Sequence, residues 1–140
     1  ANLRQITCAS PAYLRKYGEP KTLQDLKHHR AVNYVSRTTA KLFPFEFMVS
    51  GELKEIAIDG ALSVFGAEIY AACAIAGLGL IQCPHYRMDT QISQGLVQEV
   101  LIDTPPPPMP VSVLYPHNRH MSPRVRVFVD WLGEVFAGTQ

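Results

Sequence analysis

Residues 115–132, YPHNRHMSPRVRVFVDWL, leave their backbone little choice. Ser122 suits an N-cap, because its hydroxyl can accept a first-turn N–H, and Pro123 suits the first helical position, where no N–H is needed. Val125, Phe128, Leu132, Val135 and Phe136 then recur at helical spacing with Trp131 beside them, so the helix carries one broad apolar face that needs a surface to pack on. Gly138 is placed to end it.

Upstream of this helix, strand and helix signals alternate. Residues 3–9 read as a strand. Ser10 caps a short helix that has Pro11 at its first position and Gly18 at its end. Thr22 to Asp25 resembles a capping box and opens a second short helix through about residue 28. Residues 31–35 form a strand and residues 36–40 a polar loop. Residues 42–49 alternate as a strand, which Pro44 assigns to an edge. Short strands are expected at 55–59 and 62–64, and then a small-residue helix over 66–76. Gly77 and Gly79 suit a tight turn before a buried strand at 80–83. A short helix beginning at 84–88, a strand within 95–102 and a last strand at 111–115 complete the list. Residues 105–108 are four consecutive prolines, which must be extended and cannot donate to a ladder. This order argues for an α/β fold with a mixed sheet and flanking helices.

A chain of 140 residues is ample for one core, and 47% hydrophobic with 18% charged residues describes a folded protein rather than a disordered one. The net charge is +1 and the basic residues are scattered, so no stripe is available to grip nucleic acid. The longest apolar stretch, residues 69–83, is interrupted by Gly77, Gly79 and Gln82 and is too short to span a bilayer, so no membrane partner is expected. No export signal is visible ahead of the first strand. Cys8, Cys73 and Cys83 are odd in number and contain no CxxC pair, which favours reduced thiols and a cytoplasmic setting. Cys73 and Cys83 both lie in apolar segments and are expected to be buried and inert.

Catalytic arrangements are not found. No serine lies in a GxSxG elbow, and there is no GxGxxG or P-loop, Gly77-Leu-Gly79 being a lone GxG. His117 and His120 form an HxxH, but Pro116 and Pro123 set it in a turn and no Glu or Cys stands nearby as a further ligand, so no metal site and no cofactor are expected.

Two loops remain as candidate binding positions. Ser36, Arg37, Thr38 and Thr39 follow a strand at the edge where α/β sheets usually hold ligands, and Arg37 can offer a carboxylate two parallel hydrogen bonds. A solvated polar loop would have the same composition. Ser63, Phe65, Gly66 and Ala67 lead into the helix at 66–76, whose first N–H groups are free to meet an anion. Phe65 reads equally as a core aromatic.

Residues 8–30, CASPAYLRKYGEPKTLQDLKHHR, and residues 115–132 together resemble the regulatory part of LysR-type transcriptional regulators, and the resemblance runs over nearly the whole chain. It implies a type II periplasmic-binding-protein-like fold of two α/β lobes with a ligand cleft between them. On that pattern residues 10–101 form the second lobe, which is complete. Residues 1–9 and 109–115 lie near the crossover strands, and residues 116–140 return as a helix on a first lobe that is only partial here. Most of the first lobe and the helix-turn-helix domain precede Ala1. The resemblance implies a small-molecule effector, often a carboxylate or an aromatic, contacted from Ser36–Thr39 and from Ser63–Ala67. Many relatives have Asn-Asp where this chain has Phe65-Gly66, which points to a more apolar effector or to a site built on backbone N–H groups. It further implies DNA binding only through the absent domain, a homodimer or tetramer at full length, and no enzymatic activity. A free-standing periplasmic-type solute-binding protein is the alternative on the same fold. The apolar face of the last helix is expected to be covered by another copy or by the chain's own second lobe.

Overall fold

A computed structural model describes residues 1–114 and 122–137, with Ala61 described by its backbone alone. The chain opens with β1 (Asn2–Leu3) and β2 (Gln5–Ala9), followed by α1 (Pro11–Tyr17). Ser10 caps α1: its Oγ accepts the Tyr13 N–H at 3.1 Å, and Gly18 closes the helix by donating to Leu14 O at 2.9 Å. In the 3-10 helix Leu23–His28, the Asp25 carboxylate accepts the backbone N–H groups of Thr22 and Lys21 at 2.8 and 2.9 Å. Those bonds hold its pKa below the usual carboxylate value.

β3 (Ala31–Tyr34) is followed by the hairpin of β4 (Phe45–Val49) and β5 (Glu52–Ile56). The strand expected from residue 42 begins only at Phe45, because Pro44 cannot donate; Leu42 makes an isolated bridge to Val35. β5 lies three residues earlier than the expected 55–59. The two-residue turn Ser50-Gly51 sets the register Val49↔Glu52 through Phe45↔Ile56, and Ser50 takes the φ of 52° that such a turn demands. β6 (Gly60–Val64) starts two residues before the expected strand, and α2 (Ala67–Ile75) follows with Gly66 at its N-cap.

β7 (Ile81–Pro84) runs into a 3-10 turn, His85–Arg87, and a further short helix, α3 (Asp89–Ser93), that the sequence pattern does not announce. β8 (Gln98–Val100) comes next, and β9 (Met109–Pro110) pairs with β1. The strand expected at 111–115 is therefore a pair two residues earlier; residues 111–114 are in no strand, and Tyr115 lies outside the described residues. The prolines at 105–108 are extended and act as acceptors: Pro105 O takes the Met48 N–H at 2.9 Å, and Pro107 O takes the Gln5 side chain at 3.0 Å.

β2 is central, antiparallel to β7 on one side and to β8 on the other, and four of its five residues are buried. β3 pairs in parallel with β6, and a parallel bridge from Ala31 to Leu80 sets β3 beside the run into β7. At that bridge a Cβ on Gly79 would stand 2.7 Å from the Ala31 carbonyl carbon, which is why glycine is needed there. Alternation along the strands divides the core. Tyr13, Leu26, Phe47 and Leu80 pack with α1 on one face, and Ile6, Val32, Tyr70, Ala74 and Met88 pack with α2 on the other.

α4 (Pro123–Ala137) forms as expected, with Val125 N donating to Ser122 Oγ at 3.4 Å. Among the described residues its apolar face stays largely open: the Phe128 and Trp131 rings are tilted at 5.8 Å, Trp131 is 53% exposed and no residue of the helix is buried. Burial of the Trp131 face against the chain's own second lobe, one of the two covers expected, is not seen among these residues. Gly138, His117 and His120 lie outside the described residues.

The Gln82 amide inside the fold is fully partnered. The Gln82 side chain accepts Glu46 N–H at 2.9 Å through Oε1, and its Nε2 donates to Glu46 O at 2.9 Å and to Thr7 Oγ1 at 3.0 Å. Gln82→Leu would strand these partners, and is expected to destabilise the protein by about 2 kcal/mol in urea denaturation.

His29, 6% exposed, faces the Tyr13 hydroxyl at 2.9 Å. Burial lowers its pKa below the ordinary 6.5, against the opposing pull of Asp25. The unfolded chain therefore binds this proton first, so stability should be level above about pH 7 and fall as the pH drops through the mid-sixes. His29→Asn should flatten that slope between about pH 7.5 and 5.5 when unfolding free energies are compared.

Candidate functional site

The parallel strands decide where the chain can hold a ligand. β3 and β6 run side by side, with Val35 N donating to Val64 O at 2.9 Å, so the segments after them leave the sheet together. β7 ends at the same edge, and β2, being antiparallel to it, begins there. This is the C-terminal edge where α/β sheets bind ligands.

A cavity of about 460 Å³ opens along that edge. Such a volume suits a small metabolite. Tyr34 and Phe43 form one wall, Ala67, Tyr70 and Ala71 of α2 a second, and Pro84, Tyr86 and Arg87 a third. Glu46 and Gln82 lie between them, and Gln5 and Met109 bring in the two strand ends near the chain's crossing points. Tyr34 stands edge-on to Tyr70 at 5.2 Å and tilts against Phe43 at 5.9 Å. The Tyr70 hydroxyl accepts the Gln82 backbone N–H at 3.0 Å, which locks the ring, and burial keeps its pKa above the ordinary phenol value.

The residues expected from the sequence divide. Ala67 lines the cavity. Ser36, Arg37, Thr38, Thr39, Ser63, Phe65 and Gly66 do not, although the two loops do come together: a Cβ on Gly66 would stand 3.8 Å from Arg37 Nη2. Gly66 holds φ at 95°, a value that a side chain would strain. The hydroxyls of the first loop largely serve the loop itself. Ser36 Oγ accepts Thr39 N–H at 3.2 Å and Thr39 Oγ1 accepts Lys41 N–H at 3.4 Å. Arg37 is exposed, so an ion pair there is screened and worth about 1 kcal/mol or less. Phe65 is 50% exposed and is not a core aromatic.

Tyr34, Phe43, Glu46, Tyr70, Gln82 and Tyr86 were not singled out by the sequence. The rule that drew attention to residues 36–39 applies equally to Pro84-His85-Tyr86-Arg87, which also follows a strand. The aromatics in a strand and a helix read as core, and Tyr70 is core on one side while its other side meets the cavity.

The cysteines are free. Cys83 is buried and lines the cavity, whereas Cys73 is half-buried rather than buried as expected. The Cys8 thiol is raised far above its ordinary pKa by its hydrogen bond with Cys83 and by burial, so it stays protonated. Among the described residues no group of three or more His, Cys, Asp or Glu is placed to hold a metal ion, and no helix is long and apolar enough to cross a membrane.

Comparison with known proteins agrees with this geometry. The family model described as LysR substrate binding domain matches residues 1–137. An uncharacterized HTH-type transcriptional regulator of Escherichia coli, YhjC, is 33% identical over 133 residues, covering 95% of this chain and 44% of its own length. The regulator PgrR of the same species is 24% identical over 123 residues, with 88% of this chain and 41% of the relative covered. Among solved structures, CrgA, a LysR-type regulator from Neisseria meningitidis, superposes with a TM-score of 0.75 at 23% identity, over 96% of this chain and 45% of CrgA. The regulatory domain of AphB from Vibrio vulnificus gives 0.76 at 23% identity, over 95% of this chain and 66% of that domain. These two structures show that the fold is the periplasmic-binding-protein-like α/β fold of LysR regulatory domains. The chain spans less than half the length of the curated relatives named here.

Proposed function

The chain belongs to the LysR substrate-binding domain family, and we propose that it is the effector-sensing part of a bacterial LysR-type transcriptional regulator acting in the cytoplasm. In this reading a small metabolite enters the cavity at the C-terminal edge of β3, β6 and β7. Its binding favours one arrangement of the full-length protein over another, and the shift reaches DNA through a domain outside this sequence. The observation that carries the reading is the aromatic cavity at that edge, in a chain whose relatives are HTH-type regulators. The same relatives weigh against the free-standing solute-binding protein, which would share the fold.

The finer assignments belong to the proposal as well. Ser36–Thr39 and Ser63–Ala67 form the rim of the effector site, with Ala67 reaching into the cavity and Arg37 available to a carboxylate on the outer part of a ligand. Residues 10–101 act as the second lobe, residues 1–9 and 109–115 as the crossovers, and residues 116–140 as the helix that returns to the first lobe. The full-length protein is a homo-oligomer, and the domain itself performs no chemistry.

A thermal-shift screen of metabolites against the 140-residue chain tests this. A ligand present at about a hundred times its Kd adds about 2.7 kcal/mol and should raise Tm by several degrees. The shift should vanish in Ala67→Leu, which fills the mouth of the cavity while keeping a good helix former. A hit whose shift survives that change would bind elsewhere and count against the reading.

A further inference from the structure

We infer that the cavity receives a quaternary or N-methylated ammonium head on a small apolar body, an inference that rests on reading the cavity as the effector site. Glu46 lines the cavity, and among the described residues its carboxylate takes part in no hydrogen bond or ion pair; the two bonds at Glu46 are both made by its backbone to Gln82. Arg87, the cation among the lining residues, is already paired with Glu68.

The donors beside Glu46 are also committed. Both N–H groups of the Gln82 amide are used, on Thr7 and on Glu46 O. An anionic head would therefore meet the Glu46 carboxylate and would have to draw Arg87 from Glu68 to balance its charge, and a neutral head would cover that carboxylate and leave it unpaired.

The walls point the same way. Tyr34, Phe43, Tyr70 and Tyr86 all line the cavity, and the rings of Phe43 and Tyr70 stand at 53° and 77° to Tyr34, so the π-faces are turned to more than one side of the space. Several aromatic rings lining one cavity with a carboxylate attract an organic cation that is too weakly hydrated to prefer water. A methylated ammonium fits this better than a primary amine, because it presents methyl groups to the rings and needs no hydrogen-bond acceptors beyond the Coulombic partner.

The experiment is a titration of the 140-residue chain by calorimetry and ligand-observed NMR. The probes are choline, its uncharged isostere 3,3-dimethyl-1-butanol, and benzoate. Choline should bind saturably, with the isostere weaker by about tenfold or more. Glu46→Gln should bring choline down to the level of the isostere. Tyr86→Ala, a change at an exposed ring that leaves the core intact, should weaken choline several-fold. Absence of saturable choline binding, isostere or benzoate binding as tight as choline, or native choline affinity in Glu46→Gln would each overturn the inference. None of these results would touch the effector reading itself, which stands or falls with the metabolite screen and the Ala67→Leu variant.

Discussion

Gln82 fastens to the sheet a hairpin that no backbone ladder joins to it. Its amide gives the Glu46 backbone one acceptor and one donor, as a neighbouring strand's peptide group would, and it uses its remaining N–H on Thr7. The β4–β5 hairpin, whose strands pair only with each other in the sheet, is thereby fastened against β7. The backbone N–H of the same residue anchors the Tyr70 hydroxyl and so fixes the inner wall contributed by α2. A buried amide with all these partners satisfied rigidifies what it joins, whereas a half-satisfied one would cost more than an apolar residue. Hairpin, strand and helix thus meet at this one residue of the cavity lining.

Strand direction supplies the second constraint. With β3, β6 and β7 parallel, their C-terminal ends converge on one edge, and everything that follows them must leave from there. Short segments result, and each first meets its own backbone demands. In the loop after β3 the Ser36 and Thr39 hydroxyls answer loop N–H groups, and at the start of α2 Gly66 answers a φ that other residues resist. The aromatic residues set back from the loop tips are left to define the space. A ligand at this edge would therefore be surrounded by rings and one carboxylate, with the polar rim outside.

Local signals were legible in the sequence wherever the physics acts within a few residues. Ser10 with Pro11, Thr22 with Asp25, and Ser122 with Pro123 each open a helical segment where the capping pattern says, because the Ser10 and Ser122 hydroxyls accept an N–H three residues on and the Asp25 carboxylate accepts one three residues back. The strands were less legible. β5 was misplaced because its register follows from the turn at Ser50-Gly51, and the strand expected at 111–115 gave way to a pair at 109–110, whose partner is at the other end of the chain. Of the positions expected from the sequence, Ala67 lines the cavity; Tyr34, Glu46, Tyr70 and Gln82, which also line it, were not among them.

The sequence by itself determined an α/β chain with capped helices, reduced cysteines, no basic stripe and one helix whose apolar face needs a partner. Each of these follows from composition, or from contacts between residues a turn apart. Only the tertiary structure decided that Gln82 would reach Thr7, 75 positions away, and that four aromatic rings from separate elements would line one cavity with Glu46. A carboxylate's partners and a tyrosine's exposed face are properties of the space between elements. That space is fixed by strand order and packing, which residue spacing along one element does not encode.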